Sequence, residues 1–230
     1  MFDSTSEDND NHVVRLSISS AQRLSPQLVK RVEQACNEVD DLPRSVVLLR
    51  LTDEPVDEGA EAAELTVHLV NQWERALRRL ERIDAVTIAV ASGWCGGPAL
   101  EALLSTDYRI ASADVRLRLP SAAGEPWPGM AVHRLANQVG VARARPLVLF
   151  GTELSAAQAL QLGLVDEIAT DVTAAAEARR AAVRSLTGSE VAIRRRLLME
   201  APAISFEDAL GTHLAACDRT LRRMKAGALT

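Results

Sequence analysis

The pattern of hydrophobic and polar positions along the chain predicts strands in some segments and helices in others, and the strands are of two kinds. Residues 12–19 (HVVRLSIS) alternate one by one, which is typical of a strand with one face in solvent. In contrast, 45–51 (SVVLLRL) and 85–91 (AVTIAVA) are almost continuously apolar. Continuous apolar strands are typical of a parallel sheet that is covered on both faces. These segments therefore predict three strands of one largely parallel sheet.

Helical spacing of apolar residues predicts the elements between these strands. Ser25 is a candidate N-cap for a helix that runs to about Asp41. A longer helix is predicted from about Ala60 to Arg82, with one apolar stripe formed by Leu65, Leu69, Trp73, Leu77 and Leu80. Pro98 is expected to open a short helix that ends near Thr106, because proline is favoured in the first turn.

The second half of the chain continues the alternation of strands and helices. Short strands are predicted at 108–112, 115–119 and 164–169. Helices are predicted at 130–139, at 141–150, between Ser155 and Gly163, and through the remaining C-terminal part, where Ser205 caps the last one. Strands and helices in alternation indicate an α/β fold with right-handed crossovers.

The length of 230 residues suits one domain with a helical extension. Residues 1–11 lack periodicity and are expected to be a disordered tail, 12–170 the α/β core, and 171–230 a C-terminal helical region. The last helix carries an apolar stripe of Phe206, Leu210, Leu214 and Leu221. This stripe is expected to pack either on its own subunit or on a neighbouring copy.

Composition and charge narrow the class of protein. The formal net charge of −5 argues against a generally basic nucleic-acid binder. No apolar run approaches the roughly 18 residues of a membrane span, and the N-terminus lacks the basic start and apolar stretch of a secretory signal. The three cysteines are widely spaced without a CxxC pair, so neither a disulfide framework nor a metal site is expected. All three are expected to be reduced thiols in packed positions. We expect a cytoplasmic protein that binds neither nucleic acid nor membrane.

The turn SGWCGG at 92–97 is the first candidate for chemistry. It lies between a buried strand and a helix, where α/β folds place ligands, and its N–H groups could stabilise an oxyanion. It matches neither the Walker loop nor the dinucleotide fingerprint, and close helix packing explains a glycine pair equally well. Cys95 in this turn has no histidine nearby in sequence, which favours a packed thiol over a nucleophile.

The run from Ala85 to Pro120 (AVTIAVASGWCGGPALEALLSTDYRIASADVRLRLP) carries a more specific signal. It resembles the signature segment of the enoyl-CoA hydratase/isomerase (crotonase) superfamily, and matching segments continue in family order through 139–168. The resemblance extends over about residues 12–225. It implies a crotonase-like (ClpP/crotonase) spiral of ββα units with a C-terminal helical region. It also implies an acyl-CoA thioester as ligand, with coenzyme A as part of the substrate rather than a separate cofactor, and assembly into a homotrimer or hexamer.

The resemblance assigns a catalytic position to Glu101. This residue falls on the family glutamate that acts as general acid and base, and a desolvated carboxylate there would exchange protons near neutral pH. The alternative is an exposed glutamate that only complements the helix dipole. Pro98 falls on the glycine whose N–H polarises the thioester carbonyl, and proline has no N–H. Gly96 and Gly97 are the remaining candidates for substrate binding, Gly97 either as a substitute donor or for steric reasons.

Other positions depart further from the family pattern. The segment at 52–60 is shorter than the family loop that supplies the second oxyanion donor. Ser121 stands where hydratases carry a second glutamate. Glu125 is a candidate replacement from the following loop, although a surface role is the alternative. Trp127 is expected either to line an acyl pocket or simply to bury apolar area.

Charged residues outside the turn have two interpretations each. Asp107 and Arg109 match a family Asp-x-Arg motif and are expected to form a structural ion pair or loop hydrogen bond. The arginines at 194–196 and 222–223 could meet a coenzyme A phosphate, or they could be solvated helix faces.

Within the superfamily, three stretches narrow the resemblance further: 73–83, 95–111 and 125–142. They are similar to accessory proteins that assist a type III polyketide synthase in forming 3,5-dihydroxyphenylacetyl-CoA for glycopeptide-type antibiotics. The function implied is a hydratase, dehydratase or isomerase acting on the polyketide-CoA. The alternative is a catalytically degenerate protein that binds the synthase or its acyl-CoA product, and the fold would also support thioester hydrolysis.

Overall fold

The structure is a computed structural model that describes residues 12–42, 45–54, 65–119, 121–122, 125–126, 129–183 and 189–227. Its strands, in chain order, are β1 Val13–Ser19, β2 Val46–Thr52, β3 Val86–Ala91, β4 Trp94–Cys95, β5 Tyr108–Ala111, β6 Arg116–Leu117, β7 Ser121–Ala122, β8 Glu125–Pro126, β9 Leu154–Ser155 and β10 Glu167–Ile168. Its α-helices are α1 Pro26–Asp41, α2 Val67–Leu80, α3 Gly97–Leu103, α4 Met130–Val139, α5 Val141–Phe150, α6 Ala156–Leu162, α7 Val172–Ala182, α8 Ser189–Glu200 and α9 Phe206–Gly227.

The main sheet has five parallel strands in the order β1-β2-β3-β5-β10. A second, three-stranded sheet has the order β4-β6-β9, and its first strand follows β3 directly in the chain. Strands β7 and β8 form a separate antiparallel pair. The predicted α/β fold with one largely parallel sheet is confirmed.

Helices cover both faces of the main sheet. On one face, α1, α2 and α3 bury residues such as Leu28, Trp73 and Leu103 against the strands. On the other face, Ile88 and Ile110 of the strands pack against Ala176 of α7, with Val191 of α8 at the edge. This double coverage explains the continuous apolar runs in β2 and β3.

Several predicted boundaries are confirmed by the capping groups that fix them. The Ser25 hydroxyl accepts a hydrogen bond from the Leu28 N–H, and α1 begins at Pro26. Ser155 and Gln158 form a reciprocal capping box, and α6 ends at Leu162, followed by Gly163 as its left-handed C-cap. Ser205 accepts a hydrogen bond from the Asp208 N–H at the start of α9.

Several predicted elements are shorter than expected, among them the strand predicted at 115–119, which forms only as β6. Helix α2 begins at Val67 because Thr66 caps it by accepting from the Leu69 N–H, and Leu65 is half exposed rather than part of the buried stripe. The predicted start at Ala60 lies outside the described residues. The strand predicted at 164–169 pairs only at Glu167 and Ile168. Leu164 is unavailable to the ladder because its N–H closes the end of α6 on the Ala159 carbonyl.

Arg195 of α8 anchors the C-terminal helices to the sheet. Its guanidinium donates to both oxygens of Asp107 at 2.6 Å and to the carbonyls of Ile83 and Ala85 at 2.7 and 2.6 Å. Asp107 also accepts from the N–H and hydroxyl of Thr87. The prediction that Arg195 meets a phosphate or faces solvent is therefore wrong, because the side chain is buried and paired.

Arg194 is exposed, and the other charged residues named from the sequence have protein partners. Arg109 does not pair with Asp107. Its guanidinium instead donates to the Gln138 side chain and to three backbone carbonyls, so the predicted structural role is confirmed through loop hydrogen bonds. The outer arginines form ion pairs with nearby carboxylates: Arg196 with Glu200, Arg222 with Asp218 and Arg223 with Glu190.

The apolar stripe of α9 is exposed in the single chain. Phe206, Leu210, Leu214 and Leu221 are each between 43% and 75% accessible, so the stripe does not cover its own subunit. Among the described helices, none combines the length and apolar character that crossing a membrane demands.

Candidate active site

The glycine turn lies at the carboxyl ends of the sheet strands, where it is braced by the loops after β1 and β2. The Gly96 N–H donates to the Ser20 hydroxyl at 3.2 Å, and the Trp94 N–H donates to the Asp53 carboxylate at 3.1 Å. Gly93 has φ +63°, and a Cβ there would lie 2.5 Å from a carboxylate oxygen of Asp53. Only glycine fits this close approach without a shift of the Asp53 carboxylate.

The two glycines named from the sequence have different environments. The Gly96 N–H is already committed to Ser20, so it is not free to bind a substrate oxygen. Gly97 opens α3 with φ +51°, and a Cβ at this position would meet no described atom within 4 Å. As the first residue of a helix, Gly97 has an N–H without an intrahelical acceptor. Pro98 follows it and offers no donor.

Glu101 lies one turn after Gly97 on the same face of α3. Glu101 is only 5% exposed. The alternative, an exposed glutamate that only complements the helix dipole, is therefore wrong. One carboxylate oxygen, Oε2, accepts a hydrogen bond of 2.6 Å from the indole Nε1–H of Trp73 on α2. A buried carboxylate near an open glycine turn is the chemical arrangement expected of a proton-transfer site.

Burial raises the pKa of Glu101 to about 7 from its ordinary value of 4.5. The Trp73 hydrogen bond lowers this pKa, the negative charge of Glu74 raises it, and the positive charge of Arg134 lowers it. The desolvation effect is the largest of the four. Near neutral pH the carboxyl group is therefore present in both protonation states, which suits a group that must both accept and donate a proton.

A buried charge network fixes the helices around Glu101. Arg134 of α4 donates to Glu74 of α2 at 2.8 Å and to Glu81, just after α2, at 2.7 Å. Arg78 adds a second cation beside Glu81 at 2.9 Å. These ion pairs hold α4 against α2 close to the carboxyl group of Glu101.

The remaining predicted site residues lie at the edge of the described structure. Glu125 is in β8, which pairs antiparallel with β7, where Ser121 lies opposite Pro126. The side chain of Glu125 and the whole of Trp127 lie outside what the structure describes, so both roles stay predictions. The same holds for most of the 52–60 loop. The described part of the site is therefore the part that contains Glu101.

Cys95 is fully buried, and burial raises the pKa of its thiol to about 12. This confirms the packed thiol and argues against a nucleophile. Cys36 is also buried, whereas Cys217 on α9 is exposed, so the expectation that all three thiols are packed is wrong for Cys217.

Two cavities, of about 410 and 430 Å³, lie near the C-terminal helices. Neither is lined by Glu101 or Gly97.

Comparison with known proteins places this geometry in a family. The family model described as enoyl-CoA hydratase/isomerase matches residues 56–226. A protein of Amycolatopsis orientalis named enoyl-CoA-hydratase is 45% identical over 209 residues, which cover 90% of this chain and 95% of that protein. The chain belongs to the enoyl-CoA hydratase/isomerase family.

Solved members of this family share the fold at low sequence identity, which confirms the predicted crotonase-like α/β architecture. A putative enoyl-CoA hydratase from Thermobifida fusca superposes with a TM-score of 0.76 at 22% identity, covering 95% of this chain and 92% of that one. The same bacterium's protein has also been solved with acetoacetyl-CoA. An enoyl-CoA hydratase/isomerase from Marinobacter aquaeolei gives a TM-score of 0.75 at 16% identity, covering 93% of this chain and 90% of that one.

Trp73 is the residue at this site that sequence reasoning missed. Its helical spacing assigned it to the apolar stripe of α2, which is correct, since the side chain is 1% exposed. One chemical signal in the sequence indicates that Trp73 also forms a hydrogen bond. Trp73 is the one member of a stripe of leucines that carries a polar N–H, and a buried indole N–H needs an acceptor. Glu101, which the family resemblance identifies as a site carboxylate, is a candidate acceptor for this N–H.

Proposed function

We propose that this chain is an acyl-CoA enzyme of the crotonase type, a hydratase, dehydratase or isomerase that moves a proton next to a thioester carbonyl. The observation that carries the proposal is the buried carboxyl of Glu101, held by Trp73 one helical turn from Gly97, with a pKa of about 7. Family membership and the acyl-CoA complex of the Thermobifida fusca protein support the substrate class.

The proposed dehydration begins with the ionised carboxylate of Glu101. Its free oxygen removes the proton α to the thioester carbonyl, and the C–H electron pair forms an enolate. The Gly97 N–H is the proposed donor to the developing oxyanion. Collapse of the enolate expels the β-hydroxyl, which takes the proton from Glu101 and leaves as water. The carboxylate is thereby regenerated, and the hydration reaction is the reverse.

We further propose the narrower role implied by the resemblance to DpgB of glycopeptide-antibiotic producers. The protein would assist a type III polyketide synthase by dehydrating and aromatising its polyketide-CoA to 3,5-dihydroxyphenylacetyl-CoA. The three stretches at 73–83, 95–111 and 125–142 support this assignment, and two of them contain residues of the site just described, Trp73 and Glu101.

A second candidate function is an accessory binding role without catalysis. Two observations favour it: Pro98 has no N–H where the family uses a donor, and the Gly96 N–H is taken by Ser20. In this case the protein would dock on the synthase or hold its acyl-CoA product.

One experiment separates the two functions. The synthase is run alone and removed by ultrafiltration, and the released polyketide-CoA is then incubated with this protein or with its Glu101→Gln variant. An enzyme converts the released intermediate to 3,5-dihydroxyphenylacetyl-CoA, and the variant does so far more slowly. If the protein raises product yield only while the synthase is present, the docking role is correct and the enzymatic proposal fails.

We also propose that the chain forms a homotrimer or a hexamer. The exposed stripe of Phe206, Leu210, Leu214 and Leu221 supports this, because exposed apolar surface of this kind is typically covered by a partner. Closed symmetry is the usual form of such assembly.

A further inference from the structure

The contact between Trp73 and Glu101 joins two different helices. Trp73 lies near the middle of α2 and Glu101 near the middle of α3, and both side chains are almost completely buried. The indole Nε1–H donates to Oε2 of the carboxylate at 2.6 Å. Because indole nitrogen is a donor only, this bond has a fixed direction.

The bond distinguishes the two oxygens of the carboxyl group. Oε2 is committed as an acceptor to Trp73, whereas no described residue forms a hydrogen bond to Oε1. An oxygen that must accept a proton from substrate and return it needs a free lone pair. Oε1 meets this requirement among the contacts described.

The position of Trp73 is itself secured from outside the site. The next residue on α2, Glu74, receives a hydrogen bond from Arg134 of α4, and the same guanidinium binds Glu81 beyond the end of α2. Both ion pairs are largely buried, with Arg134 only 8% exposed. Helix α2 therefore presents the indole from a fixed position.

The charged groups near Glu101 have opposite effects on the ionisation of its carboxyl group. Glu74 on α2 disfavours the ionised carboxylate, and Arg134 on α4, already paired with Glu74 and Glu81, favours it. With these charges opposed, the neutral indole N–H is the direct contact that stabilises the ionised form.

We propose that Trp73 is a positioning residue for Glu101: its indole N–H fixes Oε2 and directs Oε1 toward the substrate as the proton-transfer atom. This inference rests on the proposed function for its catalytic meaning, but the bond can be tested without any substrate.

The test begins with the indole signals of the wild-type protein. The chain has three tryptophans, so ¹H–¹⁵N spectra contain three indole N–H resonances, and Trp73→Phe assigns one of them. The Trp73 resonance is expected to shift with a midpoint near the pKa of Glu101, about 7. This dependence should vanish in Glu101→Gln. A Trp73 resonance that is insensitive to pH between about 5 and 9, where Glu101 titrates, overturns the inference.

The second part of the test measures the titration of the Glu101 carboxyl group directly, by ¹³C spectroscopy. Trp73→Phe keeps the aromatic packing and removes the donor, so the pKa of Glu101 should rise by about one unit or more. In an activity assay, the pH–rate limb that reports Glu101 should move to higher pH by the same amount. Leu77→Ala is the matched control: it removes packing from the same stripe of α2 and should leave the Glu101 titration unchanged.

The outcomes separate this inference from the proposed function. If Glu101→Gln abolishes turnover but Trp73→Phe leaves the Glu101 titration and the pH–rate limb in place, Glu101 is catalytic and Trp73 is only a packing residue. If Trp73→Phe shifts the titration while Glu101→Gln retains full turnover, the hydrogen bond is as inferred and the proposed function is wrong.

Discussion

Removing the guanidinium of Arg195 is the perturbation whose consequence for stability follows most directly from the structure. In Arg195→Met the side chain keeps its apolar stem but loses four hydrogen bonds, two to Asp107 and one each to the carbonyls of Ile83 and Ala85. Among the described residues, Thr87 is then the remaining hydrogen-bond donor to the Asp107 carboxylate.

The magnitude comes from the burial of this pair. Removing one partner of a buried ion pair costs about 3–5 kcal/mol, because the remaining charge is left without compensation. The Asp107 side chain is 27% exposed and keeps its contacts to Thr87, so water and the hydroxyl compensate part of the loss. We therefore expect the free energy of unfolding to fall by about 3 kcal/mol, at the lower end of that range.

The assay is urea unfolding followed by circular dichroism, at one protein concentration for all variants. Arg196→Met is the matched control on the next residue, since its ion pair with Glu200 is largely exposed and contributes less than about 1 kcal/mol. If Arg195→Met is no less stable than Arg196→Met, the claim that Arg195 anchors the C-terminal helices is wrong.

Three further predictions follow from other contacts. Because the pKa of Glu101 is raised from 4.5 to about 7 in the fold, the stability that this group contributes is complete below pH 4.5 and is lost as the pH rises through 7. Wild type should lose about 3 kcal/mol relative to Glu101→Gln across this window in urea unfolding, and parallel curves would contradict the buried carboxyl. Gly93→Ala should destabilise the protein more than Gly163→Ala. Both substitutions place alanine at a positive φ, at a cost of about 1–2 kcal/mol, but only the Cβ at position 93 also meets Asp53. Equal losses of stability in thermal unfolding would refute the close approach. Light scattering after size exclusion should give roughly three or six times 24.8 kDa, and Leu214→Glu should lower that mass, whereas a monomer mass across dilution would refute the oligomer.

The sequence predicted the fold well because its elements are marked by local signals. Ser25, Ser155 and Ser205 cap helices by contacts within three residues, so the starts of those helices are encoded locally. The start of α2 was misplaced because its stripe continues in sequence to Leu65, while the cap is at Thr66.

The site was predictable only in part, because its contacts join distant residues. Glu101 was identified by its position in a family motif, but its donor Trp73 lies 28 residues away on another helix. Similarly, Arg195 and Asp107 are 88 residues apart, and no local pattern pairs them. Helical spacing shows which side chains are buried, but it does not show which polar atoms meet once they are buried.

The central claim is that Glu101 transfers a proton at the α carbon of an acyl-CoA thioester. The most direct measurement is exchange of the α-protons of 3,5-dihydroxyphenylacetyl-CoA for deuterium in D₂O, followed by ¹H spectroscopy with wild type, Glu101→Gln and no protein. The account predicts that wild type accelerates this exchange and that Glu101→Gln is slower by about 10²- to 10⁴-fold, the usual contribution of a general base. Exchange at the same rate with Glu101→Gln as with wild type would contradict it.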